Sequence, residues 1–191
     1  MTFNIMIAGV GGQGTVLASK LIAAAAMKKG YDVRTTETIG MAQRGGSVFG
    51  HCRIGENIFS PLVPIGKANI IIAFEPAEAV RQLPYLSKDG TVIVCDSAIQ
   101  PVSGPSTGAY EGAVMIDYLK ANVPKLIIAD GKQLTGINAK TLNVTLLGAA
   151  AQRGVLPVDA ETLKSVLPEM LHERFLQMNT EAFELGRKLC S

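Results

Sequence analysis

Hydrophobic and polar positions divide the first third of the chain into a strand, a helix and a second strand. Residues 3–8 are a short apolar run that ends in glycines, which predicts a buried strand. Residues 15–29 are rich in Ala and Leu and end in Lys28, Lys29 and Gly30, which is typical of a helix and its C-terminus. Residues 31–36 predict the second strand. This order predicts a parallel pair of strands joined by a right-handed crossover.

The middle of the chain predicts further strands and two helices. Residues 47–54 and 58–63 are β-type runs on either side of Gly55-Glu56-Asn57, which predicts a hairpin and therefore a mixed sheet. Residues 97–109 hold Ser, Thr, Gly and Pro and predict a loop. The remaining predictions here are strands over 69–74, 91–95 and 125–129, and helices over 75–86 and 113–121.

Beyond residue 139 the pattern is helical only. We predict helices over 143–152, from a cap at Asp159 to about residue 171, and over 174–189. No long polar linker and no internal repeat divides the sequence. The chain therefore predicts one three-layer, Rossmann-like α/β domain over 1–191, with a mostly parallel but mixed sheet and a helical C-terminal part.

Composition narrows the class of protein. The 191 residues are 48% hydrophobic and 18% charged, with a net charge of +2, which excludes a disordered chain. The sequence contains no cluster of Lys and Arg, so a nucleic-acid-binding protein is not expected. No apolar run is long enough to cross a membrane, and the first residues do not have the pattern of a signal peptide, so we expect a cytoplasmic protein. The three cysteines predict neither disulfides nor an iron–sulfur cluster in this chain.

The first candidate site is the glycine loop Gly9-Val10-Gly11-Gly12-Gln13-Gly14. It lies between a predicted strand and a predicted helix, where backbone N–H groups and the helix dipole favour a phosphate. The alternative is a tight turn that packs closely and binds nothing. A nicotinamide dinucleotide needs an acidic residue at the end of the second strand. Asp32 comes early for that role, and Glu37, 23 residues after Gly14, is a candidate that does not suffice to assign NAD.

The second candidate site is Gly40-Met41-Ala42-Gln43-Arg44-Gly45-Gly46-Ser47, which follows the second strand. The carboxyl ends of parallel strands meet at one edge of a sheet, so both glycine segments are expected there. Arg44 beside Gly45 and Gly46 is suited to an anion, or it is a solvated arginine in a loop.

Four further residues carry alternative interpretations. Glu75, Asp96 and Asp130 each follow a strand, where they either face a ligand or cap the next helix or turn. His51 is adjacent to Cys52 within a strand, so the two side chains point to opposite faces and do not readily share a metal; a core or interface role is expected instead.

Three segments carry a resemblance to a known family. Residues 9–14, Met-Ala-Gln-Arg-Gly-Gly-Ser-Val at 41–48, and Asn179, Ala182, Phe183 and Gly186 resemble the gamma domain of 2-oxoacid:ferredoxin oxidoreductases. The Met-Ala-Gln-Arg-Gly-Gly form is similar to the beta subunit of the indolepyruvate enzymes. Leu142-Asn143-Val144 resembles a late helix of the family.

The resemblance implies an accessory subunit that is not catalytic alone. A larger partner subunit would carry thiamine diphosphate, Mg²⁺ and [4Fe–4S] clusters, and the complex would oxidise a 2-oxoacid to an acyl-CoA and reduce ferredoxin. Coenzyme A, bound at the interface between the subunits, is a candidate ligand of the glycine loops. Three alternatives stay open: the equivalent subunit for pyruvate, 2-oxoglutarate or branched-chain 2-oxoacids, a stand-alone dinucleotide-binding module, and a subunit whose loops contact only protein.

Overall fold

The computed structural model describes residues 2–38, 45–100, 110–134 and 139–189. Within them lie six strands and eight α-helices, and short 3-10 turns at Leu83–Tyr85 and Ala139–Thr141. The strands are β1 (Phe3–Val10), β2 (Asp32–Glu37), β3 (Ser47–Gly55), β4 (Ala68–Ala73), β5 (Leu86–Cys95) and β6 (Lys125–Ala129). The helices are α1 (Thr15–Lys28), α2 (Pro76–Gln82), α3 (Gly112–Asn122), α4 (Gly131–Leu134), α5 (Leu142–Gln152), α6 (Ala160–Ser165), α7 (Leu167–Met170) and α8 (Glu173–Leu189).

The six strands form one mixed sheet in the order β2-β3-β1-β4-β5-β6. β1, β4, β5 and β6 are parallel, whereas β3 is antiparallel to both β1 and β2. The prediction of a mixed α/β sheet is therefore confirmed, and so are the strands predicted near residues 3–8, 31–36, 47–54, 69–74, 91–95 and 125–129.

Two predictions about strand pairing are wrong. β1 and β2 run in the same direction but are not neighbours, because β3 lies between them. The second arm of the predicted hairpin, residues 58–63, is not a strand. Both errors have one cause. β3 pairs with β2 and β1, which precede it in the chain, and local patterning does not predict that a strand will insert between two earlier ones.

Hydrophobic side chains fill both sides of the sheet. Ile5 and Ile7 of β1 pack with α1 and α5 on one side, while Met6 packs with α2 and α3 on the other. Alternate residues of a strand point to opposite faces, so a strand that is apolar throughout is covered on both. This arrangement gives the predicted three layers.

The C-terminal helices pack closely against each other and against the sheet. α5 crosses α8 at two glycines: a Cβ on Gly148 would overlap the carbonyl of Phe183, and one on Gly186 would overlap the carbonyl of Thr145. The helix predicted after Asp159 is two short helices, α6 and α7, and the Asp159 cap is confirmed by its 2.7 Å hydrogen bond from the Thr162 N–H.

Candidate functional site

The two glycine turns meet at the edge of the sheet where the parallel strands end. The N–H of Gly11 donates to the carbonyl of Gly46 at 2.8 Å, and Val10 at the end of β1 pairs with Ser47 at the start of β3. The prediction that both segments share one edge is thus confirmed for Gly46 and Ser47. Arg44 lies outside the described residues.

Gln13 holds the first turn in place. Its Oε1 accepts the Val10 N–H at 2.6 Å, and its Nε2 donates to the carbonyl of Phe74 at 2.9 Å, just beyond β4. Gly9 is buried, and a Cβ there would lie 2.8 Å from the same Oε1. Gln13 and Gly9 therefore shape the turn, with the Gln13 amide directed to protein groups on both sides.

Gly12 and Gly14 differ from the other residues of the loop in their backbone and in their N–H groups. Both have left-handed backbone, with φ of 100° and 82°, and Gly12 is exposed. The N–H groups of Gly11 and Gln13 donate hydrogen bonds to backbone carbonyls. Those of Gly12 and Gly14 have no acceptor among the described residues. α1 begins immediately afterwards with no acidic residue in its first turn, so this end of the helix favours an anion.

Asn143, from the C-terminal part of the chain, also supports the glycine loop. This residue is the second of α5, is 1% exposed, and donates from Nδ2 to the carbonyl of Gly14 at 3.1 Å. A Cβ on Gly14 would overlap the same amide group. Local patterning did not assign this contact, which joins residues far apart in the chain; only the family resemblance of Leu142-Asn143-Val144 marked the segment.

Glu78, a buried glutamate of α2, supports the second turn. Glu78 Oε2 accepts the Ser47 hydroxyl at 2.5 Å, and its Oε1 lies 3.3 Å from Arg81 Nε. Burial raises the pKa of Glu78, while the Ser47 hydroxyl and Arg81 act in the opposite direction. The sequence analysis did not single out Glu78, because its partner Ser47 is distant in the chain.

Glu75 has the predicted capping role and one additional partner. Its Oε2 accepts the Glu78 N–H at 3.1 Å at the start of α2, and its Oε1 accepts the hydroxyl of Tyr110. Burial, followed by this bond to Glu75, raises the pKa of the Tyr110 phenol. Tyr110 thereby joins the segment before α3 to the beginning of α2.

Asp96, Asp130 and His51 also accept hydrogen bonds from backbone N–H groups, and only that of Asp130 is with a residue nearby in the chain. Asp96 accepts the Gly131 N–H at 2.6 Å, and Asp130 accepts the Lys132 N–H at 2.8 Å. His51 Nδ1 accepts the Val63 N–H at 3.2 Å, on the side of the sheet opposite to Cys52. Burial lowers the pKa of His51. In the ranges that the structure describes, no three His, Cys, Asp or Glu side chains are grouped as a metal ion would require.

The geometry differs from that of a nicotinamide-binding fold at the ribose position. Glu37 ends β2, and β3 separates this strand from the glycine loop on β1. Asp32 lies at the other end of β2, where its carboxylate accepts the Asn57 N–H at 3.1 Å. Neither carboxylate is on a strand next to β1, where a dinucleotide's ribose is held.

Comparison with known proteins identifies the family. Residues 4–189 match the model of the pyruvate ferredoxin/flavodoxin oxidoreductase family. The chain belongs to this family. It is 38% identical to the indolepyruvate oxidoreductase subunit IorB of Pyrococcus horikoshii, over 97% of this chain and 95% of that protein. It is 30% identical to the common gamma subunit of the pyruvate/ketoisovalerate oxidoreductases of Pyrococcus abyssi, over 95% of each chain.

Solved structures share the fold. The gamma subunit of a keto/oxoacid ferredoxin oxidoreductase from Geobacter sulfurreducens PCA superposes with a TM-score of 0.68 at 20% identity, over 98% of both chains. The 2-oxoglutarate:ferredoxin oxidoreductase of Magnetococcus marinus, solved with 2-oxoglutarate, coenzyme A and succinyl-CoA bound, gives 0.71 at 20% identity. That match covers 99% of this chain and 31% of the longer one.

The relatives are subunits of multi-subunit oxidoreductases, and this chain is homologous to such subunits. No described helix is both long and apolar enough to span a membrane.

Proposed function

We propose that this chain is the accessory subunit of an indolepyruvate:ferredoxin oxidoreductase. The carrying observation is the 38% identity, over nearly the full length of both chains, to a subunit of an indolepyruvate oxidoreductase. Its larger partner subunit would hold thiamine diphosphate, Mg²⁺ and iron–sulfur clusters, and the complex would convert an aryl 2-oxoacid to its acyl-CoA and reduce ferredoxin. The gamma-subunit relatives keep pyruvate and branched-chain 2-oxoacids as alternative substrates.

The site proposed in this chain is the glycine-rich edge, with coenzyme A as its ligand. The open N–H groups of Gly12 and Gly14 and the start of α1 suit a phosphate. Arg44, followed directly by Gly45 and Gly46, would add a forked cation close to that position. Gly9, Gly11 and Gln13 would hold the shape of the turn, since their contacts are with protein groups.

Reconstitution tests the function. The chain is co-expressed with the large indolepyruvate oxidoreductase subunit from the same organism, and ferredoxin reduction is followed with indolepyruvate, pyruvate, 2-oxoglutarate and a branched-chain 2-oxoacid. We expect coenzyme A-dependent activity highest with indolepyruvate, and none from this chain alone. Activity of the isolated chain, or a preference for another 2-oxoacid, would contradict the proposal.

The Arg44→Ala variant tests the proposed site. In the assembled enzyme we expect the KM for coenzyme A to rise about tenfold, because one charge-assisted hydrogen bond is lost. We expect little change in assembly of the complex. Arg34→Ala is the control, because Arg34 is an exposed arginine of β2 whose guanidinium bonds to the carbonyl of Val33. Unchanged KM in an intact Arg44→Ala complex would remove Arg44 from the site.

The stand-alone dinucleotide module makes a different prediction. It would show a rise in melting temperature of the isolated chain with NAD or NADP. We expect no such rise, because β3 occupies the position next to β1 that the ribose-binding strand has in those folds. A clear stabilisation by either dinucleotide would favour the alternative.

A further inference from the structure

The connection between β3 and β4 displays three large apolar side chains to solvent. Residues 58–66 include no charged residue. Phe59 is 94% exposed, Ile65 73% and Leu62 58%; these three residues are the apolar platform. Single exposed apolar residues are ordinary on protein surfaces, but three within seven positions of one segment form a patch typical of a contact surface.

The backbone beneath the platform is firmly held. Ile58 and Val63 of the same segment are buried in the protein. The Val63 N–H donates to His51 Nδ1 at 3.2 Å, Arg53 Nη1 donates to the carbonyl of Ser60 at 3.0 Å, and the Gly66 N–H donates to the carbonyl of Pro84 at 2.9 Å.

Two prolines add to this rigidity. Pro61 and Pro64 each fix one backbone dihedral of the segment. The platform is therefore displayed from an ordered backbone, so a partner that covers it orders little additional chain on binding.

The platform lies on a side of the sheet where helical cover is incomplete. α2 packs on β1, β4 and β5, whereas α1 packs on β2 and β3 from the other side. Val63 packs in the cluster formed by α2, α3 and their face of the sheet, so the 58–66 segment takes the place of a helix over β3. The exposure of Phe59 means that no described residue packs over it.

We propose that the apolar platform docks into an apolar recess of the larger subunit of the same oxidoreductase. This inference rests on the proposed function. In the Magnetococcus marinus enzyme the matched fold is 31% of a longer chain, so it is covalently joined to the rest of that chain. The present chain instead matches proteins named as subunits over 95% of their length, so in the proposed complex it would meet the larger subunit across an interface between two chains.

The absence of charge in the segment defines the chemistry of the partner surface. An uncharged recess gains apolar burial from Phe59, Leu62 and Ile65, whereas a charged surface would lose hydration without compensation. Phe59, the most exposed of the three, is the expected central anchor, because aromatic side chains contribute most to such contacts.

The test is a binding measurement with the double variant Phe59→Asp/Ile65→Asp. Tagged large subunit is titrated with the wild-type chain, the double variant and the control Met27→Asp, which places one aspartate at a 64% exposed methionine of α1. We expect the double variant to bind at least about thirtyfold more weakly, as for loss of an interface anchor, and the control to bind like the wild type. Melting of each isolated chain confirms folding, and Phe59→Ser serves as a second variant that adds no charge.

The possible results separate the two proposals. Equal binding of wild type and folded variants overturns the docking surface while the subunit assignment stands. Failure of the wild-type chain to bind the large subunit overturns the proposed function and this inference with it. Size-exclusion chromatography of the chain alone tests whether a second copy of this chain covers the platform instead. If the wild-type chain is a dimer, Phe59→Asp/Ile65→Asp is a monomer and binding to the large subunit is unchanged, the docking proposal is overturned and the platform is a dimer contact.

Discussion

At the scale of single residues, Gly12 and Gly14 share a left-handed backbone but differ in their surroundings. No atom lies within 4 Å of the position a Cβ would take on Gly12, whereas on Gly14 it would overlap the Asn143 amide. The backbone therefore demands glycine at both positions, and packing adds a second demand only at Gly14.

Alanine substitutions separate these two effects. We expect Gly12→Ala to lower the free energy of unfolding by about 1–2 kcal/mol, the cost of left-handed backbone for a residue with a Cβ. Gly14→Ala should lower it by about 3 kcal/mol or more, because the bond from Asn143 is also lost. Urea unfolding of both variants measures the difference, and equal losses would show that Asn143 does not constrain the loop.

Glu78 predicts a specific dependence of stability on pH. Its pKa is raised above 4.5 in the folded protein, so the folded state binds the proton more tightly than the unfolded state. The stabilising contribution of this group is present below pH 4.5 and is lost as the pH rises through the raised folded value. Glu78→Gln removes this titration.

The measurement compares free energies of unfolding between about pH 4 and pH 8. We expect Glu78→Gln to become more stable relative to the wild type as the pH increases over this range. Glu181→Gln, at an exposed position of α8, is the control and should show no such trend. A difference in the free energy of unfolding between Glu78→Gln and the wild type that does not change with pH would show that burial does not raise the pKa of Glu78.

At the scale of elements, the crossing of α5 and α8 depends on two glycines. Gly148 and Gly186 let each helix approach the backbone of the other, where a methyl group would overlap a carbonyl. The first turn of α5 contains Asn143, which bonds to the glycine loop, so this packing also positions the candidate site.

Gly186→Ala should therefore destabilise the protein although alanine is the better helix former. Helix propensity alone would add up to about 1 kcal/mol, whereas overpacking costs typically 1–3 kcal/mol and more where backbone atoms must move. We expect a net loss in the free energy of unfolding, measured in urea. Glu181→Ala on the exposed face of α8 is the control and should change little; a stabilised Gly186→Ala would contradict the close crossing.

The placement of β3 brings the two glycine segments of the candidate site together. Because β3 lies between β1 and β2, its preceding glycine turn is beside the glycine loop. Sequence patterning found both turns and their shared edge, but it paired β1 with β2 and so placed the acidic residues of β2 too near the loop.

At the scale of the whole molecule, two cysteines report on the cooperativity of the fold. Cys52 of β3 and Cys95 of β5 are both buried free thiols in the sheet. Burial raises the pKa of Cys52 to about 12 and that of Cys95 to about 11, so neither forms a reactive thiolate at neutral pH.

Thiol labelling tests this arrangement. In a Cys190→Ser background, we expect a thiol reagent to leave the native chain unlabelled and to modify both Cys52 and Cys95 in urea. The labelling midpoint should coincide with that of global unfolding, because both residues lie in one sheet. Rapid labelling of either thiol in native buffer would show that its part of the sheet opens separately.

The sequence by itself determined the fold class, most strands and helices, the helical C-terminal part and the common edge of the two glycine segments. Those features follow from local periodicity, turn residues and the rule that parallel strands end at one edge.

Only the tertiary structure decided the strand order, the bonds of Gln13 and Asn143, the Ser47–Glu78 pair and the exposure of residues 59, 62 and 65. Each joins or separates residues far apart in the chain. Their energies depend on which surfaces meet after folding, and local sequence does not encode those surfaces.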